Sequence, residues 1–378
     1  MRVLLDARTV GRDFSGVGNY VLELVRGFAA LDEDVRFDLC VRGGSAICDL
    51  RLDERFTTFE TRISHESHPL GDLWEELVLP RRAAGLGADV LHGPAFVIPC
   101  RPMRIARVVT IHDLVAFTHP HTIPRKYALY MRWQIRRAVR HATRVITVSR
   151  SVADDLARVL GVRREGVEPV LHGVSPRFRP PDPAVVEDVR RRHGLPNPYV
   201  LFVGNLEPRK NVPGLVRAFR SIRERFGRPL DLVVVGRKAW LSDKLVRELG
   251  ADPTRDAVRV LGYVPAEDLP ALYGAAEVFA FPSFHEGFGL PVLEAMACGT
   301  PVVTSGTSSL PEVAGDAAVL VDPGSPSSIA EGLLEVLLRA DRRAELVQRG
   351  LRRVAQLDWL RTARETLRVY REARAAAP

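Results

Sequence analysis

Twice along the chain, short apolar runs of strand character alternate with helix-length amphipathic stretches, and this repetition restricts the fold more than any other feature. The first series comprises MRVLLDA, VRFDLCV, ADVLHG, RVVTIHD and RVITVS, with a helix expected from about Gly18 to Leu31 and helical patterns between most of the others. Runs that are apolar throughout, rather than at every second residue, suit strands buried on both faces by helices, as in a parallel sheet. Between Val174 and Ala184 the text becomes VSPRFRPPDPA, whose prolines break both periodicities and mark a linker. A second series then starts: YVLFVG, a helix from about Asn211, LDLVVVG, a helix near Lys244, AVRVLGYV, AAEVFAFPS, a helix near Leu290, PVVTS and AAVLVD. A chain of 378 residues also exceeds the ~100–200 of a single domain. The expected class is therefore α/β, with a Rossmann-like domain over 1–176, a second over 177–357 and a C-terminal helix over 358–378. Such sheets bind ligands beyond the carboxyl ends of their strands, so two facing sheets would make a cleft between domains.

Composition narrows the partners. The formal charge of +8 permits an anionic ligand or an anionic membrane surface. Nucleic acid is not expected, because the arginines are spread along the chain without an aromatic-interleaved basic block. The densest basic stretch, RKYALYMRWQIRRAVRHATR from Arg125, sets Tyr127, Tyr130, Met131, Ile135, Ala138 and Val139 at near-helical spacing among arginines. This basic amphipathic helix reads first as a solvated helix face and only second as a peripheral contact with acidic lipid headgroups. The opening MRVLLDARTV is interrupted at once by Asp6 and Arg8, and no run reaches the ~18 apolar residues of a membrane span, so a cytoplasmic protein is expected. Cys40, Cys48, Cys100 and Cys298 lack metal-binding spacing and read as small buried hydrophobes.

The chemistry concentrates in FPSFHEGFGLPVLEAMACGTPVVTS, Phe281 to Ser305. Pro291 suits the first turn of a helix, which places Glu286, Gly287, Phe288, Gly289 and Leu290 between a strand's carboxyl end and a helix N-terminus. Backbone amides and the positive end of the helix dipole favour phosphate there, and glycine lets a ligand approach the backbone. Glu294 follows about one turn inside the helix. Two carboxylates flanking an anion site suit a ligand with a sugar at each end of a phosphate bridge. The same spacing also fits a solvated loop glutamate and a glutamate that merely favours a helix start.

HEGFGLPVLEAMACGTPVVTS followed by SSLPEVAGDAAVLVDP resembles the signature of retaining glycosyltransferases of family 4, which have the GT-B fold. FVGNLEPRKNV, SGVGNYVLEL, TIHDL, VSRSVADDL and the closing WLRTARETLRVY extend the resemblance over nearly the whole chain. It implies two facing Rossmann-like domains, an interdomain cleft, and a last helix that crosses back onto the first domain. It further implies that Glu286 holds the donor sugar and Glu294 the nucleotide ribose. His112 stands next to the donor sugar, and Asp113 orients that histidine or the acceptor. Gly16 and Gly18, expected in the first strand-to-helix turn, lie near the phosphates and acceptor. Arg209 and Lys210 are placed to neutralise a diphosphate. Some members carry a further arginine where this chain has Asn205, which can donate a hydrogen bond instead. The base is expected against backbone near Gly262, Tyr263 and Val264.

The resulting expectation is a metal-independent, cofactor-free transferase that moves a hexose from a nucleotide diphosphate sugar to a hydroxyl with retention. GDP-mannose is favoured as donor, with UDP-hexose or UDP-N-acetylhexosamine next; the acceptor is a saccharide, a lipid-linked molecule or a natural product. A nucleotide-sugar epimerase of the same fold and a non-catalytic nucleotide-sugar binder are the alternatives. His65 and His68 in SHESHP are expected in a polar loop unaccompanied by a carboxylate cluster, and Asp32 and Asp34 read as solvated charge.

Overall fold

The computed structural model describes residues 1–11, 16–65, 70–223, 225–237 and 255–377. The helix expected near Lys244 and His68 both fall outside them. The chain forms two compact units, one of Met1–Phe117, Ala128–Gly173 and Asp358–Pro378, the other of Thr118–Tyr127 and Val174–Leu357.

The first unit holds a parallel sheet of β1 (Arg2–Asp6), β2 (Arg36–Arg42), β3 (Phe56–Thr61), β4 (Val90–Gly93), β5 (Ala106–Ile111), β6 (Arg144–Thr147) and β7 (Val167–Pro169). Its order is β3-β2-β1-β4-β5-β6-β7, so the direction of winding reverses between β1 and β4. The five strands anticipated from apolar runs are present. The two that the sequence did not announce lie at the edges: β3 has only exposed and half-buried positions, and β7 is only three residues long. The helix Gly16–Ala29 follows β1 and packs on the last helix, Trp359–Ala375. Gly27 permits that approach, since a Cβ there would lie 2.7 Å from the Trp359 carbonyl oxygen.

In the second unit β8 (Tyr199–Val203), β9 (Asp231–Val235), β10 (Val258–Gly262), β11 (Val278–Phe281), β12 (Val302–Ser305) and β13 (Ala318–Val321) form a parallel sheet ordered β10-β9-β8-β11-β12-β13. Val200 to Phe202, Leu232 to Val234 and Val278 to Phe281 are wholly buried, as strands covered on both faces must be. Here the winding reverses between β8 and β11. In an open α/β sheet, loops leaving such a pair diverge to opposite faces and open a crevice at their carboxyl ends.

Candidate active site

The two loops that leave β8 and β11 carry most of the charged residues singled out from the sequence. After β8 the chain makes one tight turn, Pro208–Lys210, and Asn211 takes a left-handed conformation (φ 56°) before the helix Val212–Arg223 begins. The buried Asn211 amide donates to the carbonyls of Pro282 (3.1 Å) and Pro323 (2.7 Å), which ties the β8 loop to the β11 loop. The Phe284 N–H donates to the Arg209 carbonyl at 2.9 Å and closes the same seam.

Across it Arg209 Nη1 donates to Glu286 Oε2 at 2.8 Å and to the His285 carbonyl at 2.6 Å, while Lys210 Nζ donates to Glu286 Oε1 at 2.7 Å. Arg209 Nη2 reaches Glu207 at 2.7 Å, so two cations here face two carboxylates. Burial on its own would raise the carboxyl of Glu286, but Arg209 and Lys210 overcome it and hold the group at about 2. Burial lowers the Lys210 ammonium, with Glu286 opposing. The carboxylate is ionised under all physiological conditions, and the cations are oriented before any ligand arrives.

Gly289, at φ 113°, turns the chain into the helix Leu290–Ala297, with Pro291 in its first turn. Ser309 Oγ donates to the carbonyls of Glu286 (2.9 Å) and Phe288 (2.7 Å), and Ser308 Oγ accepts the Glu286 N–H at 3.0 Å. These serines fix the peptide planes of the turn. Inside the helix Glu294 accepts the Tyr273 hydroxyl on Oε2 at 2.9 Å. Burial raises its carboxyl above the ordinary value, with Tyr273 and Arg177 pulling the other way.

At the end of β10, Gly262 adopts φ 71° and its carbonyl accepts the Gly236 N–H at 2.8 Å. Val264 is buried, whereas Tyr263 is 60% exposed, its ring 4.2 Å from the Arg237 guanidinium carbon. Asn205 is exposed, just beyond β8.

The first unit holds the remaining candidates. His112 follows β5 directly; its Nε2 donates to the Pro94 carbonyl at 2.7 Å, and its ring meets Tyr20 edge-on at 4.9 Å. Burial lowers its pKa, opposed by that hydrogen bond and by Asp113. Asp113 Oδ1 accepts the Val115 N–H at 3.0 Å, which starts the short helix Val115–Thr118.

Three expectations change. Gly16 and Gly18 stand in the first turn of the helix rather than in the turn before it, because helical hydrogen bonding starts at Gly16. Carboxylates do accompany His65: its Nδ1 lies 3.9 Å from Glu75, and Asp6 shares the cluster, which the buried Arg8 guanidinium bridges by contacting both acids. Cys40 and Cys298 are buried, but Cys48 is exposed beside Glu60 and Cys100 is half-buried.

Sequence reasoning missed Glu207, Tyr273, Ser308 and Ser309. The serines and Glu207 had a signal, since Ser308 and Ser309 precede LPEVAG and Glu207 lies in FVGNLEPRKNV, both stretches already quoted; Tyr273 had none.

Two parallel sheets of this winding, with an arginine, a lysine and a glutamate joined at a reversal point, are those of a doubly wound α/β protein. Residues 186–353 match the family described as glycosyl transferases group 1, and residues 14–178 match glycosyltransferase family 4. The O-antigen chain mannosyltransferase B of Escherichia coli is 32% identical over 98% of this chain and 100% of its own length. The D-inositol 3-phosphate glycosyltransferase of Salinispora arenicola is 36% identical over 63% of this chain and 56% of its own. Among solved structures, Anabaena HepE in complex with UDP and glucose superposes with a TM-score of 0.74 at 20% identity, covering 97% of this chain and 98% of that one. The chain belongs to the family 4, group 1 glycosyltransferases; it is a glycosyltransferase of the GT-B fold.

Proposed function

We propose that the protein is a retaining, metal-independent hexosyltransferase that uses GDP-mannose and builds a polysaccharide or glycoconjugate. The observation that carries the reading is the Arg209–Glu286–Lys210 constellation at the β8/β11 reversal. Cleavage of the anomeric bond builds negative charge on the leaving diphosphate and positive charge on the sugar. Arg209, Lys210 and the amides of Gly287 to Leu290 stabilise the former, and Glu286 holds the sugar hydroxyls and favours the latter. Each oxygen of Glu286 keeps a lone pair beyond its cation contact, so it can accept from a hydroxyl without releasing Arg209 or Lys210. Glu294 takes the ribose, and backbone at Tyr263 and Val264 the base, with Asn205 a further donor. Gly16, Gly18, His112 and Asp113 serve the sugar and acceptor. Retention follows the family's pattern, with the departing phosphate taking the acceptor proton.

The mannosyl preference rests on the full-length likeness to the O-antigen mannosyltransferase. Peripheral contact with an anionic membrane is part of the reading, because Leu129 (55%) and Trp133 (53%) are exposed on the basic helix Arg125–His141. Among the described residues no helix is long and apolar enough to cross a membrane.

GDP- and UDP-sugars are offered with and without chelator, and nucleotide diphosphate release and product are followed. Release from GDP-mannose, unchanged by chelator, is the expected outcome. Release from UDP-sugars alone overturns the donor assignment, loss of activity on chelation overturns metal independence, and a changed sugar without nucleotide release overturns transfer in favour of epimerisation.

A further inference from the structure

We infer that Tyr273 is the positioning residue that sets Glu294 for nucleotide recognition, by holding one oxygen of its carboxylate in place. The inference rests on the reading of Glu294 as the ribose acceptor.

Tyr273 lies in the short helix Leu269–Gly274, next to the helix that bears Glu294. Its side chain is wholly buried, and the one polar atom it carries donates to Glu294 Oε2 at 2.9 Å. Everything around the phenol limits its motion. Its ring meets Phe279 of β11 edge-on at 5.3 Å and Phe178 at 5.9 Å, and its carbonyl accepts the Thr300 hydroxyl at 2.6 Å. A buried phenol is costly without a partner, so the pair is fixed from the Tyr273 side. Glu294 itself is half-buried, and a glutamate has three rotatable bonds. With Oε2 held by Tyr273, the hydroxyls of a ligand have Oε1 and the remaining lone pair of Oε2 to donate to.

The same contact has an electrostatic effect. Burial disfavours the charged form of Glu294, and the Tyr273 hydroxyl is the largest influence opposing it; Arg177 is the next. Cys298, which caps the same helix, carries a thiol that burial and Glu294 push up to about 12, so it stays neutral. Without the phenol hydroxyl, the larger of these two opposing influences is lost. A merely structural tyrosine would affect stability; a positioning tyrosine also affects which nucleotides bind and at what pH.

The test compares UDP and GDP with their 2′-deoxy counterparts by calorimetry from pH 5 to 8, in wild type, Tyr273→Phe, Glu294→Gln and Glu294→Ala. In the wild type the ribonucleotide is expected to bind about tenfold tighter than the deoxy form, the size of one hydrogen bond to a charged group. Both Glu294 variants should abolish that preference. Tyr273→Phe should reduce it to about threefold and show its acid loss of affinity at higher pH than the wild type. Thermal unfolding of each variant confirms that the unit is folded. If the Glu294 variants keep the preference, the ribose reading falls, and this inference with it. If they lose it while Tyr273→Phe retains the full preference and the wild-type pH profile, the ribose reading stands and the role of Tyr273 is overturned.

Discussion

At the scale of single residues, the strongest statement concerns Glu286. Its side chain is 8% exposed between two cations, and its carboxyl is held at about 2 against an ordinary 4.5. A group whose folded value lies below its unfolded one stabilises the fold above the unfolded value, and that contribution disappears as pH falls through the folded value. Glu286→Gln is therefore expected to cost on the order of 3 kcal/mol at pH 7. The gap between variant and wild type should narrow from about pH 4.5 toward pH 2, which denaturant titrations across that range would reveal. A gap constant with pH would mean that Arg209 and Lys210 do not depress the group. The glutamate was legible in the sequence because glycines and a proline placed it at a helix start. Its two partners were legible only as cations near a strand end; that both close on the same carboxylate depends on Asn211, whose left-handed backbone and amide contacts no spacing rule announces. Glu207 was missed for a similar reason, since an acid beside a proline looks like ordinary loop charge.

At the scale of elements, the central strands were legible because each is apolar throughout, while β3 and β7 were not: an edge strand need bury only one face, and three residues carry no period. The helix Leu290–Ala297 was found from Pro291, yet its starting geometry depends on Gly289. At φ 113° an L side chain is strained, and a Cβ there would lie 2.7 Å from Leu310 Cδ2. Gly289→Ala is expected to cost about 1–3 kcal/mol of stability. It should also weaken nucleotide binding several-fold, because the amides of the turn re-aim; calorimetry and thermal unfolding on one preparation measure both. The seam between the β8 and β11 loops has its own test. Asn211→Ala removes two buried hydrogen bonds and leaves the Pro282 and Pro323 carbonyls without that donor, a loss of roughly 2–4 kcal/mol. The Arg209 and Lys210 ends should then loosen, so nucleotide affinity falls as well, although Asn211 itself need not touch the ligand.

At the scale of the whole molecule, the last helix belongs to the first unit although more than 180 residues of chain separate it from Gly173. Periodicity announced the helix, and only the family resemblance said where it goes, because an amphipathic face does not name its partner. Trp359, Ala363, Leu367, Val369, Tyr370 and Ala373 are all buried in the core with Val3, Leu5, Tyr20 and Phe28. Two contacts make the docking specific rather than merely apolar. The Tyr370 hydroxyl bonds His92 Nδ1 at 2.7 Å, and His92 Nε2 bonds Thr110 at 2.8 Å, which links the helix to β4 and β5. Burial holds His92 down at about 3, so the imidazole is neutral in the folded protein. Each large side chain so buried contributes about 1.5–3 kcal/mol, and the four largest together approach the 5–15 kcal/mol by which a domain is stable at all. Ending the chain after Leu357 is therefore expected to unfold the first unit, while Tyr370→Phe, which keeps the ring and loses only the hydroxyl contact, should cost about 1–2 kcal/mol. Differential scanning calorimetry separates the cases: the truncated chain should lose the transition that belongs to the first unit, and the phenylalanine variant should keep it at a slightly lower temperature. A truncated chain that retained both the transition and its enthalpy would show that the helix is an accessory to this sheet rather than part of its core.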